Sequence, residues 1–297
     1  MQLFWQQTVN GLSDGAIIVI FALGFSLVFS HLGILNVAQG TYATWGAITS
    51  FYAYADLGHS IWLSAVLGTL AAGGIGIAVD LVCFTPLRGR GRGGGLFATL
   101  ITSIGAWIAL LSLAQLTIGA NANGFPPGAT PTRVFRVFGL QITAMVLVDF
   151  VAAIAVSVAM WILIDHTHFG ASVRAIGRDP RTIAIAGVNT RVVVLWTAFL
   201  AAVLSGIGGV LSGMTNNVIT YDVGESLLVV GFAAVVLGGV GSITGTVIGG
   251  FAIGLIQVYS AQYLSSSFQN AITYTVLLLV LVARPRGLLG RSQLLRA

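Results

Sequence analysis

The chain has 297 residues, of which 57% are hydrophobic and only 7% are charged, against roughly a quarter charged in soluble domains. So small a charged fraction excludes a soluble globular fold and indicates a polytopic membrane protein. All 13 basic residues are arginines, and the net charge of +5 indicates contact with anionic lipid headgroups rather than with nucleic acid.

Nine apolar segments follow one another along the chain, each close to the ~20 residues that cross a hydrocarbon core. They are predicted at 11–30, 34–54, 61–84, 96–118, 142–164, 192–213, 226–242, 245–264 and 269–283. The seventh and eighth meet at a glycine-rich stretch, so the expected number of spans is eight or nine, with some helices broken or re-entrant. We therefore expect an all-α polytopic membrane protein with a single transmembrane domain over residues 1–297.

Arginine positions predict the orientation of these spans. With nine spans, eleven of the 13 arginines fall on the cytoplasmic side, as the positive-inside rule requires. The other two, Arg133 and Arg136, lie in an outer loop, 119–141. The N-terminus is thus expected outside and the C-terminus in the cytoplasm.

Two glycine-rich junctions could carry a polar path through the membrane. The first places Asn36, Gln39 and Thr41 beside Gly40, and backbone freed at such a break needs protein or a water-filled cavity around it. If helical, Asn36 and Gln39 would share one face, and that face would either line a solute path or bond neighbouring helices. The second junction offers a similar choice between solute contact and close packing, at Gly239, Gly241, Ser242 and Thr244. The two breaks hint at an internal repeat of the kind found in transporters.

Three carboxylates fall within apolar segments, where ionisable groups are costly and are candidates for a function such as proton relay. Asp14 and Asp80 lie near span ends, where water is expected to reach them, whereas Asp149 lies about eight residues into its span. Residues 165–168 read Asp-His-Thr-His, but side chains two apart point to opposite sides of a helix, so a polar rim is expected rather than a metal site. No catalytic or nucleotide-binding signature is present, so no enzyme is expected and any nucleotide energy would come from another subunit.

A charged island, Gly170–Arg191, interrupts the apolar chain and contains a short helix with both ends marked. Asp179 suits the N-cap, Pro180 the first helical position and Gly187 the residue past the end, which predicts a helix over residues 180–186. Two turns are too short to be stable alone, so the island would be a folded docking surface rather than an ordinary positive-inside loop. Its candidate docking residues are Arg174, Arg178, Asp179, Pro180, Arg181, Ala184 and Gly187.

Three stretches, Ala22–Gly40, Gly170–Val192 and Gly238–Gly250, resemble the permeases of branched-chain amino acid ABC importers in order and spacing. The likeness covers nearly the whole chain and is greatest to the shorter of the two permease subunits. It implies a bacterial inner-membrane complex with a second permease subunit, two cytoplasmic ATPases and an extracytoplasmic solute-binding protein. It also implies that Arg174 to Val188 form the coupling helix that docks on an ATPase, and that ATP is used by the partners while this chain holds no cofactor.

The expected function is therefore import of branched-chain or other apolar amino acids by alternating access. The family commonly has Asn-Phe-Ala-His-Gly where this chain has Asn-Val-Ala-Gln-Gly at residues 36–40, and close relatives handle urea and short amides, which remain alternatives. An ion-coupled secondary transporter using Asp149 is the alternative from another class. The capped helix favours the ABC importer, because a secondary carrier needs no docking helix.

Overall fold

The computed structural model describes residues 2–33, 35–56, 58, 60–87, 95–126, 128–131, 133–137, 139–177, 187–284 and 287–289. Within these ranges the chain forms ten α-helices and one β-hairpin. The helices are α1 Gln2–Leu32, α2 Gln39–Ala55, α3 Ile61–Val79, α4 Gly95–Ile118, α5 Ala144–His166, α6 His168–Ile176, α7 Thr190–Asn216, α8 Val223–Gly238, α9 Ile243–Tyr263 and α10 Gln269–Ala283. The end of α3 continues through a π-helical turn, Asp80–Phe84, and a 3-10 turn, Thr85–Leu87.

Each of the nine predicted apolar segments contains a helix, which confirms the expected all-α polytopic fold. Seven helices of the described chain are long and apolar enough to cross a membrane. One of the seven, α10, reaches that length only with the 3-10 turn Ser266–Phe268 before it. The two other helices of the predicted segments are α2, with 17 residues, and α8, with 16. Each of them borders one of the two glycine-rich junctions, where the sequence predicted broken helices.

A β-hairpin precedes α5, a feature that the hydropathy pattern did not predict. Strands β1, Val134–Val137, and β2, Leu140–Thr143, are antiparallel and turn at Gly139, whose φ is 81°. The side chain of Gln6 on α1 clamps the free edge of β2: its Nε2 donates to the Gln141 carbonyl at 2.9 Å, and its Oε1 accepts from the Gln141 N–H at 2.9 Å. The hairpin is thereby fixed to the N-terminal end of α1.

Helices α1 and α7 are the central helices of the fold. Helix α1 packs closely on α9, and helix α7 packs closely on α3. Helix association in lipid depends on close packing rather than on apolar burial, so small residues line these contacts. A Cβ at Gly254 of α9 would lie 2.4 Å from the Gly15 backbone of α1. A Cβ at Gly76 of α3 would lie 2.3 Å from the Ala202 side chain of α7.

These contacts relate α1–α3 to α7–α9. Both sets consist of a long helix, a short helix and a long helix, and the first helix of each set packs on the third helix of the other. The two first helices are antiparallel, since Gly24 lies beside Ala201 whereas Gly208 lies beside Phe21. This is the arrangement of an inverted repeat. It differs from the repeat at which the two glycine-rich breaks hinted, because the first break precedes α2 whereas the second follows α8.

Candidate functional site

The first junction differs from the expectation in where its helix begins. Helix α2 starts at Gln39, and the preceding residues, including Asn36, form a non-helical connection. The prediction that Asn36 and Gln39 share a helix face is therefore wrong. The chain leaves the helical path at Gly33, whose φ of 64° is left-handed, and resumes it only after a turn in which the Gln39 N–H donates to the Asn36 carbonyl at 3.2 Å.

Both amides of this junction are buried and only partly bonded. Gln39 has 0% of its surface exposed, and its Nε2 donates to the Ala201 carbonyl at 2.9 Å and to Ser205 Oγ at 2.7 Å, both on α7. Asn36 Nδ2 donates to the Tyr42 hydroxyl at 3.2 Å. The carbonyl oxygens of both amides, Oδ1 and Oε1, accept no hydrogen bond from the described residues. Leaving such an acceptor unpaired costs about 1–3 kcal/mol, so both oxygens are available to a donor that enters the site.

The N-termini of α2 and α8 meet at two glycines. A Cβ at Gly224 would lie 1.8 Å from the Gly40 carbonyl oxygen, and a Cβ at Gly40 would lie 2.6 Å from the Gly224 carbonyl oxygen. Thr44 Oγ1 accepts from the Gly224 N–H at 3.1 Å, which joins the two helices directly. Gly40 therefore makes a close helix contact in this conformation, and Thr41, one residue on, is buried with its hydroxyl donating to the Ala38 carbonyl at 2.7 Å.

The second junction lies at the other end of α8, about 24 Å from the first by the rise of a 16-residue helix. It is a tight turn, in which Gly239 and Gly241 have φ of 103° and 85°. Ser242 Oγ accepts from the Gly245 N–H at 3.0 Å and caps α9, while Thr244 is exposed. The structure therefore does not bring the two sets of candidate path residues together.

The chain after α10 closes the C-terminal end of α8. The N–H groups of Leu288 and Leu289 donate to the carbonyls of Leu237 and Gly238 at 2.8 and 3.0 Å. These carbonyls belong to the last turn of α8, which has no intrahelical donors for them. The last turn of α8 is thus bonded to a segment about fifty residues later in the chain.

Among the candidate docking residues, Arg178, Asp179, Pro180, Arg181 and Ala184 lie outside the described part of the chain. Arg174 is on α6, where its Nη1 lies 3.6 Å from Asp165 Oδ1. Both side chains are about two-fifths exposed, so this ion pair contributes little to stability. Gly187 has a φ of 85°, the left-handed conformation expected of a residue that ends a helix.

The polar stretch at the end of α5 borders α6 rather than forming a ligand set. Thr167 caps α6 by accepting from the Gly170 N–H at 3.2 Å, and the His166 ring lies 4.5 Å from that of Trp161. Among the described residues, no group of three or more His, Cys, Asp or Glu side chains is placed to hold a metal ion. Asp165 instead pairs with Arg174 of α6.

Two buried carboxylates have hydroxyl partners. Asp149 has 0% of its surface exposed and accepts from Ser13 Oγ at 2.8 Å and from Thr215 Oγ1 at 3.0 Å, which links α5 to α1 and α7. Asp80, expected near water, is only 2% exposed, and its carboxylate accepts from Thr85 Oγ1 at 3.4 Å. The expectation for Asp80 is wrong because α3 continues past it through the π-helical turn, which keeps the carboxylate inside the helix packing.

The half of the fold that carries the hairpin contains two cavities that the sequence did not predict. The larger has a volume of about 690 Å³ and lies among α1, the loop after α4, the start of α5, the end of α7, α9 and α10. The smaller, of about 410 Å³, lies among α1, the end of α7, α8, α9 and α10. Asp14 lines both. The sequence held one signal for this site: Gln7, Asn10 and Asp14 are spaced three and four apart, so they share one face of α1.

Known proteins of one family match this chain over nearly its whole length. The pattern that defines the family described as "Branched-chain amino acid transport system / permease component" matches residues 7–283. The high-affinity branched-chain amino acid transport permease LivH of Escherichia coli is 30% identical, over 98% of this chain and 96% of LivH. The corresponding permease BraD of Pseudomonas aeruginosa is 29% identical, over 98% and 97%.

One solved structure is similar in fold. PsaBC from Streptococcus pneumoniae in complex with Fab superposes with a TM-score of 0.53, over 95% of this chain and 92% of that chain, at 12% identity. At that identity the likeness supports the fold alone.

Proposed function

Because the chain belongs to the family of branched-chain amino acid transport permeases, we propose that it is the membrane-spanning subunit of an ATP-driven importer of branched-chain or other apolar amino acids. The observation that carries this proposal is the 30% identity to LivH over nearly the full length of both chains. A match of that extent leaves none of the nine apolar helices outside the region of similarity.

The proposal includes the partners that such a permease requires. ATP would be bound and hydrolysed by two cytoplasmic subunits, so this chain, as one permease domain, would hold no cofactor. A second permease subunit would pair with it in the inner membrane, and an extracytoplasmic binding protein would deliver the amino acid. The ATPase contact would include α6 with Arg174 and the segment that ends at Gly187, since these follow α5 on the arginine-rich side.

The proposed path passes the junction of α2 and α8. Their N-termini meet at Gly40 and Gly224, so the path is closed there in this conformation, and separation of the two helices would open it. The free carbonyl oxygens of Asn36 and Gln39 would then accept from the ammonium group of the passing amino acid. At the other end of α8, the turn that contains Gly239, Gly241, Ser242 and Thr244 would form part of the exit.

Uptake by the assembled complex tests the transport proposal. In cells that lack their own leucine importers, expression of this chain with its partner subunits is expected to give ATP-dependent uptake of labelled leucine. Uptake of labelled urea and acetamide under the same conditions tests the alternative within the family. Accumulation of urea or acetamide without leucine would replace the proposed substrate.

The orientation is tested by labelling of single cysteines in a Cys83→Ala background. An impermeant maleimide added outside intact cells is expected to modify the Gln2→Cys variant, because the N-terminus is proposed to lie outside. The Arg90→Cys variant is expected to react only after the membrane is permeabilised. Labelling of position 90 from outside would reverse the proposed topology.

The path role of Gln39 is separable from its packing role. Gln39→Leu is expected to lower the maximal uptake rate per assembled complex while leaving the concentration for half-maximal uptake nearly unchanged, because the binding protein sets that concentration. Ser205→Ala is the matched control, since it removes one hydrogen-bond partner of Gln39 but keeps its free carbonyl. Normal turnover per complex in both Gln39→Leu and Asn36→Leu would assign the two amides to packing.

A further inference from the structure

The two cavities beside Asp14 share part of their lining. Asp14, Asn216 and Gln269 border both, so the two cavities adjoin at these side chains. Their volumes, about 690 and 410 Å³, lie in the range of ~300–1,000 Å³ that is usual for small-molecule sites. Polar side chains within a membrane protein face the protein interior or water, and this compartment is where those of α1, α7, α9 and α10 meet.

The larger cavity presents a carboxylate and hydroxyl acceptors together with side-chain amides. Of the described residues that line the two cavities, Asp14 is the charged one. Ser13 and Thr215 also line the larger cavity, and both hydroxyl groups donate their protons to Asp149. Their oxygen lone pairs therefore remain as acceptors. A carboxylate with two hydroxyl acceptors near it suits a primary ammonium group, which has three donors and no acceptor.

The smaller cavity is apolar over much of its wall. The wall there carries branched aliphatic side chains of α1 and α8, namely Ile17, Ile18, Leu227 and Val230. The first turn of α8 also lines it, through Val223 and Ser226. The N–H groups of Val223, Gly224 and Glu225 already donate within the protein, to Thr220, Thr44 and Asp222, so this turn adds no anion site. An apolar wall and the Asp14 carboxylate thus border the smaller cavity.

We propose that these adjoining cavities are an entry vestibule that binds the free amino acid, with its ammonium group at Asp14 and its aliphatic side chain against Ile17, Ile18 and Leu227. This inference rests on the proposed transport function and names where the amino acid binds after the binding protein releases it. The vestibule leads to the closed junction, because Val223 precedes Gly224, which contacts Gly40. Affinity would be weak, since cargo must leave in every cycle.

Protection of a single cysteine measures this binding without transport. In the full complex carrying Cys83→Ala and Asn216→Cys, maleimide labels the vestibule wall, where residue 216 is exposed. Leucine and 3-methylbutylamine are expected to slow labelling by the factor 1 + [L]/Kd, about threefold at twice the dissociation constant. The isosteric acid 4-methylpentanoate, which lacks the ammonium group, is expected to give no protection. Equal protection by this acid would refute the assignment of Asp14 to the ammonium group.

Variants of Asp14 complete the test. Asp14→Asn is expected to remove protection by both amines, whereas Asp14→Glu, which keeps the charge, is expected to retain part of it. Asp56→Asn is the matched control, because Asp56 is exposed just after α2 and lines neither cavity. Full protection in Asp14→Asn would overturn the proposal.

The outcome is distinguishable from that of the transport proposal. If the unmodified complex imports leucine but leucine does not protect position 216, the vestibule is wrong and the transport function stands. If 3-methylbutylamine protects but leucine is not imported, the ammonium site stands and the proposed substrate is wrong. The ligand series needs no Asp14 variant, so it decides the question even if Asp14→Asn fails to assemble.

Discussion

Replacement of Gly224 by alanine is expected to remove most assembled permease and to stop uptake by the fraction that remains. The added Cβ would lie 1.8 Å from the Gly40 carbonyl oxygen and 2.7 Å from Thr44 Oγ1. The first of these is a backbone atom, which cannot rotate away, so α2 and α8 must separate where their N-termini meet. Overpacking of a close-packed interior costs about 1–3 kcal/mol, and a backbone clash lies at or above the upper end.

The matched control is Gly74→Ala on α3. Gly74 is also helical, but a Cβ there would meet nothing within 4 Å. Alanine at such a position is expected to be neutral or to stabilise the helix by up to about 1 kcal/mol. Thermal stability in detergent and uptake per complex are measured for both variants. The comparison separates the effect of the steric clash at Gly224 from the effect of alanine on helix propensity. If Gly224→Ala assembles and transports as the unmodified protein does, the two helices are apart in the working permease.

Replacement of Gly187 by valine is expected to abolish solute-stimulated ATP hydrolysis while leaving membrane insertion intact. A Cβ at Gly187 would meet no described residue within 4 Å, so the expected effect is on backbone conformation. Its φ of 85° is left-handed, which costs a β-branched residue on the order of 1–2 kcal/mol. Valine would therefore favour another backbone path between the docking segment and α7, and would tilt the surface offered to the ATPase.

Asparagine at the same position distinguishes conformation from bulk. Asn tolerates the left-handed region better than other residues with a side chain, so Gly187→Asn is expected to keep most of the stimulated hydrolysis. Copurification of the ATPase subunits with each variant shows whether docking or stimulation is lost. Normal stimulation in Gly187→Val would mean that this residue does not set the geometry of docking.

The fold was predictable because span length and hydropathy are properties of contiguous sequence. All nine apolar helices follow from that pattern, as do the two breaks, since glycine and polar residues interrupt the apolar runs. The start of α2 could not be predicted in this way. The sequence is compatible with a helix that already includes Asn36 and equally with one that begins three residues later, at Gln39, as observed. The left-handed Gly33, a local choice of the backbone, separates the two cases.

The sites depend on contacts between distant parts of the chain, which a single sequence does not reveal. Gly40 and Gly224 are 184 residues apart, and nothing in either local pattern pairs them. In the sequence Asp149 has no recognisable partner within the membrane. In the fold its carboxylate accepts hydrogen bonds from Ser13 of α1 and Thr215 of α7. The hairpin does not follow from the sequence, because its strands have only four residues each and its attachment depends on the distant Gln6.

The hydrogen bonds from Leu288 and Leu289 to the last turn of α8 determine which end of that helix can swing. A shift of α8 along its axis by one turn, about 5.4 Å, would break both bonds, whereas a tilt about that end would preserve them. A tilt of α8 about the tethered end would therefore give its largest displacement at Gly224. In such a tilt, a small rotation at the tethered end would be amplified over about 24 Å and would separate α8 from α2.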